Sequence, residues 1–135
     1  MDFKIKSNEL YRTRLCTIAS ATVIEAGDLV AIDSGLIIKA TAASTAVAYA
    51  PKACADGETS IDVSVGNDFT LVGTGDAAFA VTNKGAEVDL VVTSNVQLID
   101  LGTSATDVFK VSIASDAGVA ASADNIEVVI NKPIF

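Results

Sequence analysis

The segment Gly73-Thr74-Gly75-Asp76-Ala77-Ala78 is the stretch whose residue types and spacing come nearest to a cofactor motif. It reads G-x-G-x-x-A directly after an apolar run at 69–72, as in a dinucleotide fingerprint. That chemistry needs a helix starting at the glycines, so that its N-terminus meets the pyrophosphate, and a parallel strand within about 30 residues. Asn83-Lys84-Gly85 interrupts the segment too soon for such a helix. A flexible hairpin tip is expected instead, and no cofactor is assigned. Carboxylates gather at Asp56, Glu58 and Asp62, and again at Glu87 and Asp89. Their order lacks the ligand positions of a calcium loop, and alternation puts Glu87 and Asp89 on one strand face. Both groups read as solvated acidic surface, so no metal is assigned. Carboxylate pairs for glycoside cleavage would need an aromatic sugar platform, and the chain has no Trp and only Tyr11 and Tyr49.

Nucleophilic chemistry starts at a deficit. The absence of histidine removes the commonest general base, the histidine triads and the histidine metal sites together. The 11 serines and 12 threonines include no G-x-S-x-G elbow and no S-x-x-K spacing. No catalytic residue is assigned, and a non-enzymatic protein is expected. Cys16 and Cys54 lie far apart with no CxxC neighbour, so they read as free buried thiols rather than zinc ligands or a disulfide framework.

The elements that would position these residues are strands. The 135 residues suit one domain, and half of them are apolar, carried by Ala, Val and Ile with only 5% aromatic. Such a chain can close a core and is not disordered. A core of small side chains buries little area per residue, so association with another surface is expected to add to its stability. Short alternating runs occur at 3–6, 12–19, 29–32, 36–39, 60–65, 69–72, 78–81, 87–93, 96–101, 109–114 and 126–131. Gly, Asn, Asp or Ser residues close most of them, the signature of an antiparallel β-sandwich or β-barrel. Two hairpins are expected early: 29–32 with 36–39 around Asp33-Ser34-Gly35, and 60–65 with 69–72 around Gly66-Asn67-Asp68. The Ala-rich stretches 41–50 and 119–123 lack a charged face and support at most a turn or two of helix.

Charge divides the chain differently. The net charge is −8, which argues against nucleic acid as a partner. No apolar run approaches a membrane span, and the opening residues lack a signal-peptide core, so a protein made in the cytoplasm with no membrane partner is expected. Residues 1–14 nevertheless carry Lys4, Lys6, Arg12 and Arg14 against Asp2 and Glu9, and Arg12 and Arg14 are the only arginines. Residues 1–14 therefore read as an extended basic arm on an acidic β domain at 15–135, suited to fork-like pairing with carboxylates. A solvated first strand is the competing reading of the same segment.

The stretch Ile24-Glu25-Ala26-Gly27-Asp28-Leu29-Val30-Ala31-Ile32-Asp33-Ser34-Gly35-Leu36-Ile37-Ile38-Lys39-Ala40, with the Ala, Ser and Thr run to Tyr49, resembles the head decoration proteins of tailed bacteriophages, also called cement or auxiliary proteins. Lys84-Gly85-Ala86-Glu87-Val88-Asp89-Leu90 and Leu98-Ile99-Asp100-Leu101-Gly102-Thr103 share that texture. The resemblance implies a virion structural protein on the outer capsid surface, usually a homotrimer, that clamps neighbouring major capsid subunits. Phe3, Lys4, Ile5, Lys6, Arg12 and Arg14 are the residues expected at a capsid or subunit contact, with Phe3 and Ile5 as apolar anchors. The other reading kept open is a β-rich adhesin or fibre-type module of a surface protein.

Overall fold

The computed structural model describes residues 2–6, 9–55, 57–113 and 123–135. Every regular element there is a strand apart from one 3-10 turn at Val81–Asn83. The strands are β1 (Phe3–Ile5), β2 (Arg12–Thr17), β3 (Leu29–Asp33), β4 (Leu36–Lys39), β5 (Ala48–Tyr49), β6 (Ser60–Val65), β7 (Leu71–Gly73), β8 (Glu87–Thr93), β9 (Val96–Asp100), β10 (Phe109–Val111) and β11 (Ile126–Ile130). They form a six-stranded sheet in the order β1-β7-β11-β10-β8-β9, a three-stranded sheet β4-β3-β5 and a two-stranded sheet β2-β6, with all strand pairs antiparallel. The sheets stack as a sandwich and do not close into a barrel.

Alternation along β3 to β5 explains the stacking. Leu29, Ala31 and Tyr49 face a large core shared with Phe3, Leu71, Leu90, Ile99, Phe109, Val128 and Ile130 of the six-stranded sheet. Val30, Ile37 and Ala48 face a smaller core with Ile61, Val63, Ile24 and Cys54. A stretch with apolar side chains on both faces has to be covered on both sides, and Leu29, Val30 and Ala31 are, whereas Ile32 and Asp33 at the end of β3 are exposed. Gln97 of β9 joins the layers. Its buried amide accepts from Leu29 N–H at 2.7 Å through Oε1, and its Nε2 donates to Leu29 O at 2.9 Å and to Ala40 O at 3.1 Å.

The β3–β4 hairpin forms as expected, with Ser34 and Gly35 both at positive φ in its turn. A second tight hairpin joins β8 and β9 through Ser94 and Asn95, also both at positive φ. The expected hairpin of 60–65 with 69–72 does not form. β6 pairs with β2, whereas β7 pairs with β1 and β11, so Gly66-Asn67-Asp68 carries the chain from one sheet to another. The alternating pattern specified two strands, but local turn chemistry could not specify their partners. Residues 78–81 are likewise not a strand and lead into the 3-10 turn. The stretch 41–50, which supported at most a turn or two of helix, holds turns and β5. Most of the 119–123 stretch and the end of the 109–114 run lie outside the described residues.

The G-x-G-x-x-A segment is neither a phosphate loop nor a hairpin tip. Gly73 ends β7 under the ring of Phe3, where a Cβ would collide with the ring. Gly75 bridges Ile99, and a Cβ there would lie 2.7 Å from Ile126 Cδ1. Close packing, rather than a ligand, requires both glycines.

Candidate interaction surface

The N-terminal residues separate into two environments. Phe3 is only 2% exposed and packs against Phe109 with ring centroids 5.5 Å apart. Phe3 therefore belongs to this chain's own core and cannot anchor it to a partner. Ile5 is half-buried against the same core, and Lys4 is exposed on the edge strand β1. Lys6 forms an ion pair with Glu127 of β11, and the hydrogen bond it donates to that carboxylate, helped by the carboxylate's charge, holds the ammonium above the usual lysine range. Residues 3–6 are thus built into the body instead of extending from it as an arm; Lys4 and Lys6 are the exposed side chains of the four, and the ammonium of Lys6 is tied to Glu127.

The connection from β1 to β2 is pinned. Lys6 N–H donates to Thr70 O at 3.0 Å, while the Glu9 carboxylate accepts from Thr70 N–H and from its hydroxyl. Tyr11 packs edge-on against Tyr49 at 5.9 Å and lies 5.4 Å from the Phe69 ring. Burial pushes the Tyr11 and Tyr49 hydroxyls above the usual tyrosine range, so both stay neutral at physiological pH.

β2 is different. Arg12, Thr13, Arg14, Leu15 and Thr17 are all exposed, and only Cys16 is half-buried. Leu15 is 67% and Leu10 91% exposed, two apolar side chains in water beside the only two arginines of the chain. The register opposes Arg14 to Val63 and Leu15 to Asp62. Arg12, Arg14 and Cys16 therefore share one face and Thr13, Leu15 and Thr17 the other. The Arg14 guanidinium lies 5.0 Å from the centroid of the Phe135 ring, a cation–π contact that holds its plane in place. Burial raises the Cys16 thiol above its ordinary value, which keeps it protonated and unreactive.

The edge of β2 is open. Ile18 N–H donates to Thr59 O at 3.1 Å in continuation of the β2–β6 ladder. By alternation, the backbone groups of Arg12, Arg14 and Cys16 turn toward β6, and those of Thr13, Leu15 and Thr17 turn away. Ala19, of the outward parity, donates to Ile37 O at 2.9 Å, so β4 covers this edge from the end of the strand onward. A parallel bridge between Ile18 and Ile37 brings β4 against the end of β2 and takes up the carbonyl of Thr17, whereas among the described residues nothing pairs with the outward groups of Thr13 and Leu15.

The carboxylates expected on the surface also divide. Glu87 is exposed, but Asp89, two residues along the same strand, is 4% exposed. Its Oδ1 accepts from the N–H groups of Ala105, Thr106 and Asp107 at 2.9, 2.9 and 2.8 Å. Burial alone would push this carboxyl up, yet the bonds from Asp107, Ala105 and Thr106 outweigh it and hold it below the usual carboxylate range. Asp89 fixes the loop between β9 and β10, and the expected solvated face is corrected to one exposed and one buried acid. Glu58 is exposed, and Asp62 is half-buried with Lys52 Nζ at 3.6 Å. Asp56 lies outside the described residues. Cys54 is fully buried, and neither it nor Cys16 is in a disulfide. Comparison with protein-family models, curated proteins and solved structures finds no match.

Proposed function

We propose that this chain is a non-enzymatic structural protein that binds the outer surface of a tailed-bacteriophage capsid and stabilises it, acting as a decoration protein of the virion. One observation carries this reading: a strand with five of its six side chains exposed, bearing both arginines and an exposed leucine, with a backbone edge open at Thr13 and Leu15, on a body that is otherwise acidic. Such a strand suits adhesion to a large acidic surface, because guanidinium–carboxylate pairs and apolar contact act together. The resemblance to decoration proteins supports it from the scaffold side. Its longest stretch forms the β3–β4 hairpin and the approach to it, and the other two lie in β8, β9 and their flanks. The contact residues of this reading are Lys4, Arg12 and Arg14, joined by Leu10 and Leu15, which charge alone did not single out.

A homotrimer would present three copies of β2 to the major capsid protein, multiplying a weak contact into firm attachment. The test is co-sedimentation of the purified protein with mature shells lacking it. Binding that weakens in Arg12→Glu/Arg14→Glu and at high salt is the expected result. Wild-type protein that stays in the supernatant at all salt concentrations overturns the capsid reading.

A further inference from the structure

We propose that the outer edge of β2 accepts an extended, acidic segment of a partner protein as an added β-strand, reading carboxylates on one face and an apolar side chain on the other. The outward N–H and C=O groups of Thr13 and Leu15, with the N–H of Thr17, form a row with the spacing of a sheet ladder, next to a β6 ladder that is already complete and short of the point where β4 joins the edge. A strand laid along this row would satisfy them as backbone partners, as in recognition by β-strand addition.

The two faces of β2 determine which segment fits. Arg12 and Arg14 stand two residues apart on one face, so cross-strand neighbours at alternate positions of the incoming strand lie within reach of both guanidinium groups. Arg14, steadied over Phe135, has its fork oriented in advance. On the opposite face the exposed Leu15 favours an apolar neighbour. The matching sequence alternates Asp or Glu with Val, Ile or Leu. A second copy of β2 is a poorer occupant, because it would bring two more arginines to an edge that already carries two. The inference deepens the adhesive reading above by naming the chemistry of the segment that β2 binds, and it can fail while capsid binding survives.

The probe is a short synthetic peptide alternating glutamate with valine, compared with one alternating lysine with valine, each titrated into the full chain and followed by backbone amide NMR. The glutamate peptide is expected to shift and protect the amides of Thr13, Leu15 and Thr17, and the lysine peptide to leave them unchanged. Arg12→Glu/Arg14→Glu should weaken binding by roughly tenfold or more, as expected when charge-assisted pairs worth about 1.4 kcal/mol are lost. Leu15→Pro removes an outward N–H that takes no part in the β6 ladder and should abolish binding; amide spectra report whether either variant remains folded. Absence of shifts in the wild-type chain overturns the inference, as does equal binding by the arginine variant or an interface at β2 between two copies of the chain. If neither peptide binds but shells do, strand addition fails and the capsid reading stands; if the glutamate peptide binds and shells do not, the reverse holds.

Discussion

β1 and β2 come from the same short basic segment and have opposite fates. β1 lies against β7, with Phe3 sealed in the core and Lys6 tied to Glu127. β2 pairs along its length with β6, meets β4 just at its end, and keeps five of its six side chains in water. Charge is shared by the two strands, so charge did not decide between them. Phe3 is a large ring with a glycine opposite it that leaves room for it, and burying such a ring is worth a few kcal/mol. β2 offers one leucine, two threonines and two arginines, which a core would have to desolvate. A basic N-terminal segment is thus part fold and part surface, and the boundary falls at the pinned connection through Glu9 and Tyr11.

The sharpest way to break this comparison is Phe3→Ala. Loss of the ring should cost about 3–5 kcal/mol, the usual range for a buried aromatic, and urea denaturation would measure it. A cost under about 1 kcal/mol would mean that β1 is an arm after all. Truncation of residues 2–6 should destabilise the chain comparably, so loss of shell binding in such a truncation would not by itself locate a contact.

Glu87 and Asp89 offer a second contrast of the same kind within one strand. Asp89→Asn places an N–H₂ or a weaker acceptor against three backbone donors and should cost about 1–3 kcal/mol, whereas Glu87→Gln should stay within about 0.5 kcal/mol. The pH dependence follows from the direction of the Asp89 shift. Its carboxyl titrates lower in the folded chain than in the unfolded chain, where it returns to the ordinary carboxylate range, so the unfolded state binds more protons in acid. The Asp89 contribution is complete above that unfolded value and is lost as pH falls through the folded one. Denaturation midpoints of wild type and Asp89→Asn should therefore converge on acidification; a constant gap between them would count against the charged form as the stabilising species.

The smallest effects belong to β2. Arg14→Ala gives up a cation–π contact worth about 0.5–1 kcal/mol at an exposed site, and Leu15→Thr should leave thermal stability unchanged within about 0.5 kcal/mol. A large loss of stability in either would show that β2 is structural in the way that β1 is, removing the basis for an interaction surface there.

Much of the molecule was legible in the residues. Alternation marked ten of the eleven strands among the described residues, and Asp33-Ser34-Gly35 marked the tight turn between β3 and β4, because side-chain period and positive φ are local properties. The surface was half legible: Arg12 and Arg14 stood out by type, while the exposure of Leu15 left no signal, since a leucine in an alternating run reads as core. Partnership escaped too. That β6 pairs with β2 instead of β7, that Gly73 and Gly75 serve packing, and that Asp89 is buried beside an exposed Glu87 all depend on residues distant in sequence. Composition and period by themselves determined an all-β chain without histidine chemistry and with an oddly basic beginning. Only the tertiary structure decided which part of that beginning is core and which is surface, because burial depends on what the rest of the chain brings to each strand's face and edge.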